Sequence, residues 1–203
     1  MSELSAIEWG VAARPFRGEI ESGDQHVVAP FDGGVLAGAI DGLGHGPEAA
    51  RVACRAAEVL SGDPARPVGD LIERCHAALR GSRGAVMTLA AIDTRTERVT
   101  WAAVGNVEAT LCRASPDARP PRETIVPRSG VVGYQLPAPR AVSLPIAAGD
   151  VLIMATDGIG HDFVLDSPFG RPARSHAEAV LDRYGKETDD ALVLVVRYLG
   201  RAP

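Results

Sequence analysis

Apolar residues along this chain fall mostly at every second position or in short unbroken runs, the patterns of strands buried on one face or on both. Such runs predict strands at Ser5 to Ala13, His26 to Pro30, Gly34 to Ile40, Ala85 to Asp93, Arg98 to Val104, Glu108 to Arg113, Ala141 to Pro145, Val151 to Ala155 and Ala191 to Tyr198. Helical spacing appears in three places. Pro47 to Leu60 has a proline at its first turn and an alanine-rich face behind it. Val68 to Arg80 carries Leu71, Ile72, Cys75 and Leu79 on one face, and Ser175 to Tyr184 precedes the last strand. Short connections such as Gly105-Asn106 join consecutive strands, which implies antiparallel pairing rather than a regular alternation of strand and helix. The pattern therefore predicts an α+β fold of two antiparallel sheets with helices packed outside them. Residues 114–124, rich in proline and charge, are expected to be an exposed loop.

Length and composition narrow this picture. A chain of 203 residues that is 46% hydrophobic suits one sizeable core, so a single domain spanning 1–203 is expected. Aromatic residues make up only 4%, leaving Val, Leu, Ile and Ala to fill that core. The 21 basic and 26 acidic side chains are mixed along the chain, with no basic block of the kind that follows a phosphate backbone, so nucleic acid is not an expected partner. Cys54, Cys75 and Cys112 are widely spaced and include no CxxC pair; they read as buried small hydrophobes in a reducing compartment. No run approaches the ~18 apolar residues needed to span a bilayer, and the first residues lack the order of a signal peptide. A cytoplasmic protein without a membrane partner is expected, with monomer the simplest state and oligomerisation left open.

Acidic residues stand where the apolar runs stop. Asp24 lies in "SGDQH", Asp41 in "AIDGLGHG", Asp157 in "IMATDGIG", and Asp189 and Asp190 in "ETDDALVLVV". Taken singly, each reads as a strand terminator or turn residue, since Asp-Gly is a frequent turn dipeptide. Taken together they have a second reading. Hard divalent cations take oxygen ligands, and several carboxylates from different strands are needed because neighbours on one strand point to opposite faces.

The ordered series "SGD", "DGLGHG", "RGAVMTLAAID", "AAVGNVEATL", "SGVVG", "VLIMATDGI" and "DDALVLVVR" resembles the metal-dependent Ser/Thr phosphatases of the protein phosphatase 2C superfamily, and within it the SpoIIE-like branch. The resemblance covers Ser22 to Arg197 and implies an α-β-β-α sandwich with a site for two Mn2+ or Mg2+ ions at one end. By motif, Asp41 would bridge both ions and the Gly42 carbonyl would bind one of them. Asp157 and Asp189 would hold the other, and Asp24 would sit on the second ion or its waters. Asp190 stands where the superfamily commonly has Asn and is the less favoured ligand. Such a site acidifies a bridging water for in-line attack on a phosphoserine or phosphothreonine. The implied substrates are phosphorylated STAS-domain scaffold or anti-sigma antagonist proteins of bacterial stress signalling, with no regulatory region expected before Ser22.

Two departures from the superfamily pattern matter. Leu43 occupies the place of a common histidine, so His45 inherits no catalytic acid role and reads as a loop residue near the metal mouth. Gly23 stands where an acid often precedes the aspartate. His26 and His161 read as structural or outer residues, Asn106 as a turn residue, Gly130 and Gly133 as backbone-geometry positions, and Arg83 as a solvated charge beside a motif. Two other readings remain: a catalytically silent binding module, against which the retained acids argue, and a hydrolase of a small phosphoester.

Overall fold

The computed structural model describes residues 3–165 and 167–200. After a 3-10 turn at Glu3–Ala6, the chain forms β1 (Ile7–Arg14), β2 (Asp24–Phe31), β3 (Gly34–Gly42), α1 (Gly46–Gly62), α2 (Val68–Ala78), β4 (Ala85–Asp93), β5 (Arg98–Val104) and β6 (Glu108–Cys112). There follow β7 (Arg122–Thr124), β8 (Val142–Pro145), β9 (Val151–Ala155), a second 3-10 turn at His161–Leu165, α3 (Ala173–Tyr184) and β10 (Ala191–Tyr198). One sheet has the order β1-β10-β9-β6-β7 and the other β2-β3-β4-β5-β8, with every strand pairing antiparallel.

The side-chain period of two explains the layers. On β3, Val35, Ala37 and Ala39 face the other sheet, while Leu36 and Ile40 face α1 and α2 and pack with Leu60, Leu71 and Ile72. On β10, Leu192, Leu194 and Val196 fill the space between the sheets, while Val193 and Val195 pack under α3 against Ala177 and Val180. Both faces of these central strands are buried, which is why their sequences read as continuous apolar runs. Each fully buried Leu or Ile contributes about 1.5–3 kcal/mol, and the sum leaves room for acids at the strand ends. The result is the expected α-β-β-α sandwich.

Two expectations are corrected. The 114–124 stretch is not all loop: Arg122–Thr124 forms β7, an edge strand paired with β6 through Thr110↔Thr124. Cys75 and Cys112 are buried, but Cys54 lies on the exposed face of α1. No helix among the described residues is long and apolar enough to cross a membrane.

Candidate metal centre

The alternation that builds the sandwich also aims its acids. Asp41 follows Val35, Ala37 and Ala39 on the face of β3 that looks toward the other sheet, and Asp24 on β2 is its direct cross-strand partner. Asp157 lies two residues beyond the end of β9, and Asp189 and Asp190 lead into the adjacent β10. Carboxylates separated widely in sequence thus reach one end of the sandwich from both sheets. Close backbone approach draws the ends together: a Cβ on Gly42 would lie 2.4 Å from the Ala49 carbonyl oxygen, and one on Gly158 would lie 1.8 Å from that of Asp190. Only glycine permits these contacts.

Asp41, His45, Asn106, Asp157 and Asp189 line a cavity of about 520 Å³. Asp24 sits behind Asp41, 3% exposed, and accepts a 2.7 Å hydrogen bond from the Thr156 hydroxyl. Asp190 is equally buried and turns away from the cavity, accepting the N–H groups of Phe16 and Gly23.

Burial, then the charges of Asp24, Asp157, Asp189 and Asp190, push the Asp41 carboxyl from its usual 3.8 up to about 9. Burial also lifts Asp24 to about 7 against the opposing Thr156 hydrogen bond, and raises Asp189. The contrast with another buried acid is informative. Asp150, 2% exposed, is neutralised by Arg113 at 2.9 Å and by the N–H groups of Ala114 and Ala147. Among the described residues no Lys or Arg side chain pairs with any of the five site carboxylates. Concentrated negative charge without a counter-cation, presented entirely by oxygen donors, fits hard divalent ions. No three Asp, Glu, His or Cys side chains among the described residues close on a common point as a ready-made cage. The donors instead stand around the cavity wall, an arrangement suited to ions that keep part of their water shell.

Neighbouring side chains order the wall. Asn106, read from sequence as a turn residue, donates its Nδ2–H to Asp157 Oδ2 at 2.8 Å. The signal for it was thin: an Asn after Gly105, whose φ of 99° makes the turn. Lys186 Nζ donates to the Asp157 carbonyl at 2.6 Å. His45 does sit at the mouth, its Nδ1 3.0 Å from Glu19 Oε1 and its ring 4.7 Å from that of Phe16. Arg83 pairs with Glu48 at 2.6 Å and passes beside Gly44 on the rim. Ser129, Gly130 and Val131 form part of the cavity wall, while the Gly133 N–H donates to His76. His26 and His161 lie elsewhere, against Trp9 and Glu108. The glycine at position 23 also has a reason: a Cβ there would meet Asp190 Oδ2 and the Ala49 methyl, each at 2.9 Å, so no acid fits. Removing the Asn106 amide should free the Asp157 carboxylate to rotate; Asn106→Ala is expected to lower turnover about 10-fold with little change in melting temperature, read by steady-state kinetics and thermal unfolding.

A sandwich of this topology with acids gathered at one end defines the class, a phosphatase of the PP2C type, and comparison with known proteins agrees. The family model for stage II sporulation protein E (SpoIIE) matches residues 32–199, and the chain belongs to that family. Phosphoserine phosphatase RsbX of Bacillus subtilis is 26% identical over 137 residues, 68% of this chain and 67% of that protein. A crystal structure of RsbX in complex with magnesium superposes with a TM-score of 0.83 at 21% identity, covering 94% of each chain. A chain from a bacterial stressosome adapted to control secondary messenger signalling gives a TM-score of 0.85 at 29% identity, covering 94% of this chain and 99% of that one. The catalytic domain of the phosphatase PstP with two manganese ions shares the fold at a TM-score of 0.73 and 14% identity, covering 94% and 97%. The expected likeness to the SpoIIE-like branch and the expected Mn2+ or Mg2+ cofactor agree with these relatives.

Proposed function

We propose that this chain, acting as a single domain in the cytoplasm, removes phosphate from phosphoserine or phosphothreonine on STAS-domain proteins of a stressosome or of an anti-sigma antagonist pathway. The observation that carries the reading is the convergence of Asp41, Asp157 and Asp189 from two sheets on one cavity, with Asp24 behind them and no Lys or Arg paired with their carboxylates among the described residues. The stressosome chain and RsbX among its relatives support the choice of substrate.

In this reading Asp41 would hold both ions, Asp157 and Asp189 would contribute from the opposite sheet, and the Gly42 carbonyl and Asp24 would contribute from the β2–β3 side. Two Mg2+ or Mn2+ ions, when bound, supply an acidified water and the positive charge that screens the phosphoryl oxygens. The chain's own work is positional. Asn106 occupies one oxygen of Asp157, whose side chain lines the cavity. The Glu19–His45 pair and residues 129–131 wall the mouth on two sides. No protein nucleophile is needed, and none of the three cysteines lies in the cavity.

The test compares hydrolysis of p-nitrophenyl phosphate and of a phosphorylated STAS protein, each with Mn2+ and with EDTA. Mn2+-dependent release from the phosphoprotein is the expected result. Silence on both substrates would identify a binding module, and activity confined to the small ester would identify a small-phosphoester hydrolase.

A further inference from the structure

Asp190 presents a paradox of charge. It is 3% exposed, turns away from the cavity, and adds to the repulsion already felt by Asp24 and Asp41. A neutral side chain would spare the site that cost. Its hydrogen bonds explain why an acid stands there. Oδ1 accepts the Phe16 N–H at 2.8 Å and Oδ2 accepts the Gly23 N–H at 2.9 Å. These two donors lie near the opposite ends of the connection between β1 and β2, and a carboxylate is the one small side chain with two acceptor oxygens and no donor. An asparagine would turn its own NH2 toward one of those N–H groups, leaving that donor without its partner.

The connection so fastened carries the site's near wall. Gly23 precedes Asp24, and its carbonyl accepts the Gly42 N–H at 3.0 Å, tying the Asp24 turn to the Asp41 turn. Phe16 packs on His45, and Glu19 bonds the same imidazole. We propose that Asp190 is a positioning residue of the metal centre: its carboxylate staples both ends of residues 16–23, holding Asp24 and the Glu19–His45 wall against Asp41, while the neighbouring Asp189 faces the ions. The inference rests on the reading of the cavity as a metal centre.

The experiment pairs Asp190→Asn with the wild-type protein. Amide hydrogen exchange in the metal-free wild type should show Phe16 and Gly23 protected, and the variant should exchange faster across residues 16–23. With p-nitrophenyl phosphate, well below the melting temperature, half-maximal activation by Mn2+ should need about 10-fold more metal in the variant. Saturating Mn2+ should restore turnover to within about 3-fold. A residue that only supports the fold would lower the melting temperature without moving the Mn2+ requirement, and that result would overturn the proposal. So would unprotected Phe16 and Gly23 amides in the wild type, or a variant that no Mn2+ concentration rescues, which would make Asp190 a ligand. Absence of Mn2+-dependent hydrolysis in the wild type would instead overturn the enzymatic reading, while the exchange measurement would still decide the staple.

Discussion

Asp41→Asn is expected to cut turnover about 10³-fold or more and, measured without metal at pH 8, to raise the melting temperature. The first effect follows from its place: Asp41 is the one carboxylate on the inter-sheet face of β3 that lines the cavity, directly across from Asp24 and facing Asp157 and Asp189. Under the proposed function, losing a ligand shared by both ions would remove several kcal/mol of charge stabilisation from phosphoryl transfer, and 10³-fold corresponds to about 4 kcal/mol. The second effect has the opposite sign because the folded, metal-free site disfavours the ionised acid. Burial and four neighbouring carboxylates lift Asp41 to about 9. An amide of nearly the same shape carries no charge to desolvate and none to repel. The gain should be roughly 2–5 °C for a chain of this size. Scanning fluorimetry in EDTA and steady-state assays in Mn2+ read the two effects. A variant that loses turnover and also melts earlier would show that Asp41 holds the fold together instead of being held in place by it.

Such a residue, costly to the fold and useful to the site, is what made part of the centre legible in the sequence. A strand buried on both faces shows an unbroken apolar run, and an acid at its end stands out; Asp41, Asp157 and the Asp189-Asp190 pair all have that signature. The sheets themselves were readable for the same reason. Less legible was everything that depends on contact across long separations. The Glu19–His45 pair joins two loops 26 residues apart, and neither residue has a local pattern that names the other. Asn106 looks like any turn residue until the end of β9 brings Asp157 against it. The residue pattern alone did not separate Asp189 from Asp190, for which only the family resemblance favoured Asp189, because adjacent identical acids differ only in direction. Register with Leu192 and Leu194 turns Asp190 into the sandwich, toward the β1–β2 connection, and leaves Asp189 at the cavity. The strand β7 escaped because its three residues, Arg122, Glu123 and Thr124, bury little and owe their conformation to pairing with β6, not to their own sequence. Cys54 was misplaced by residue type alone: cysteine is usually buried, but its position on α1 points outward.

Stability should depend on pH and on metal together. Asp24 and Asp41 have folded pKa values of about 7 and about 9, against 3.8 ordinarily. Between pH 4 and 9 the metal-free folded chain therefore holds more protons at these carboxyls than the unfolded chain does. Stability from these groups is full below pH 4 and is lost as pH rises toward their folded values. Divalent ions held there as proposed would reverse the dependence. They would bind the ionised carboxylates, so binding would expel the protons that the metal-free carboxyls retain, and apparent affinity would climb with pH. At metal concentrations about 100-fold above dissociation, each ion adds about 2.7 kcal/mol, and two ions should raise the melting temperature by roughly 10–20 °C. The rise should be larger at pH 8 than at pH 6, and titration calorimetry in buffers of different ionisation enthalpy should detect proton release at pH 6. An equal rise at both pH values, with no proton released, would mean that the ions bind elsewhere than at Asp24 and Asp41. Asp41→Asn supplies the internal control, because it should flatten the pH dependence and shrink the metal-induced rise in the same protein.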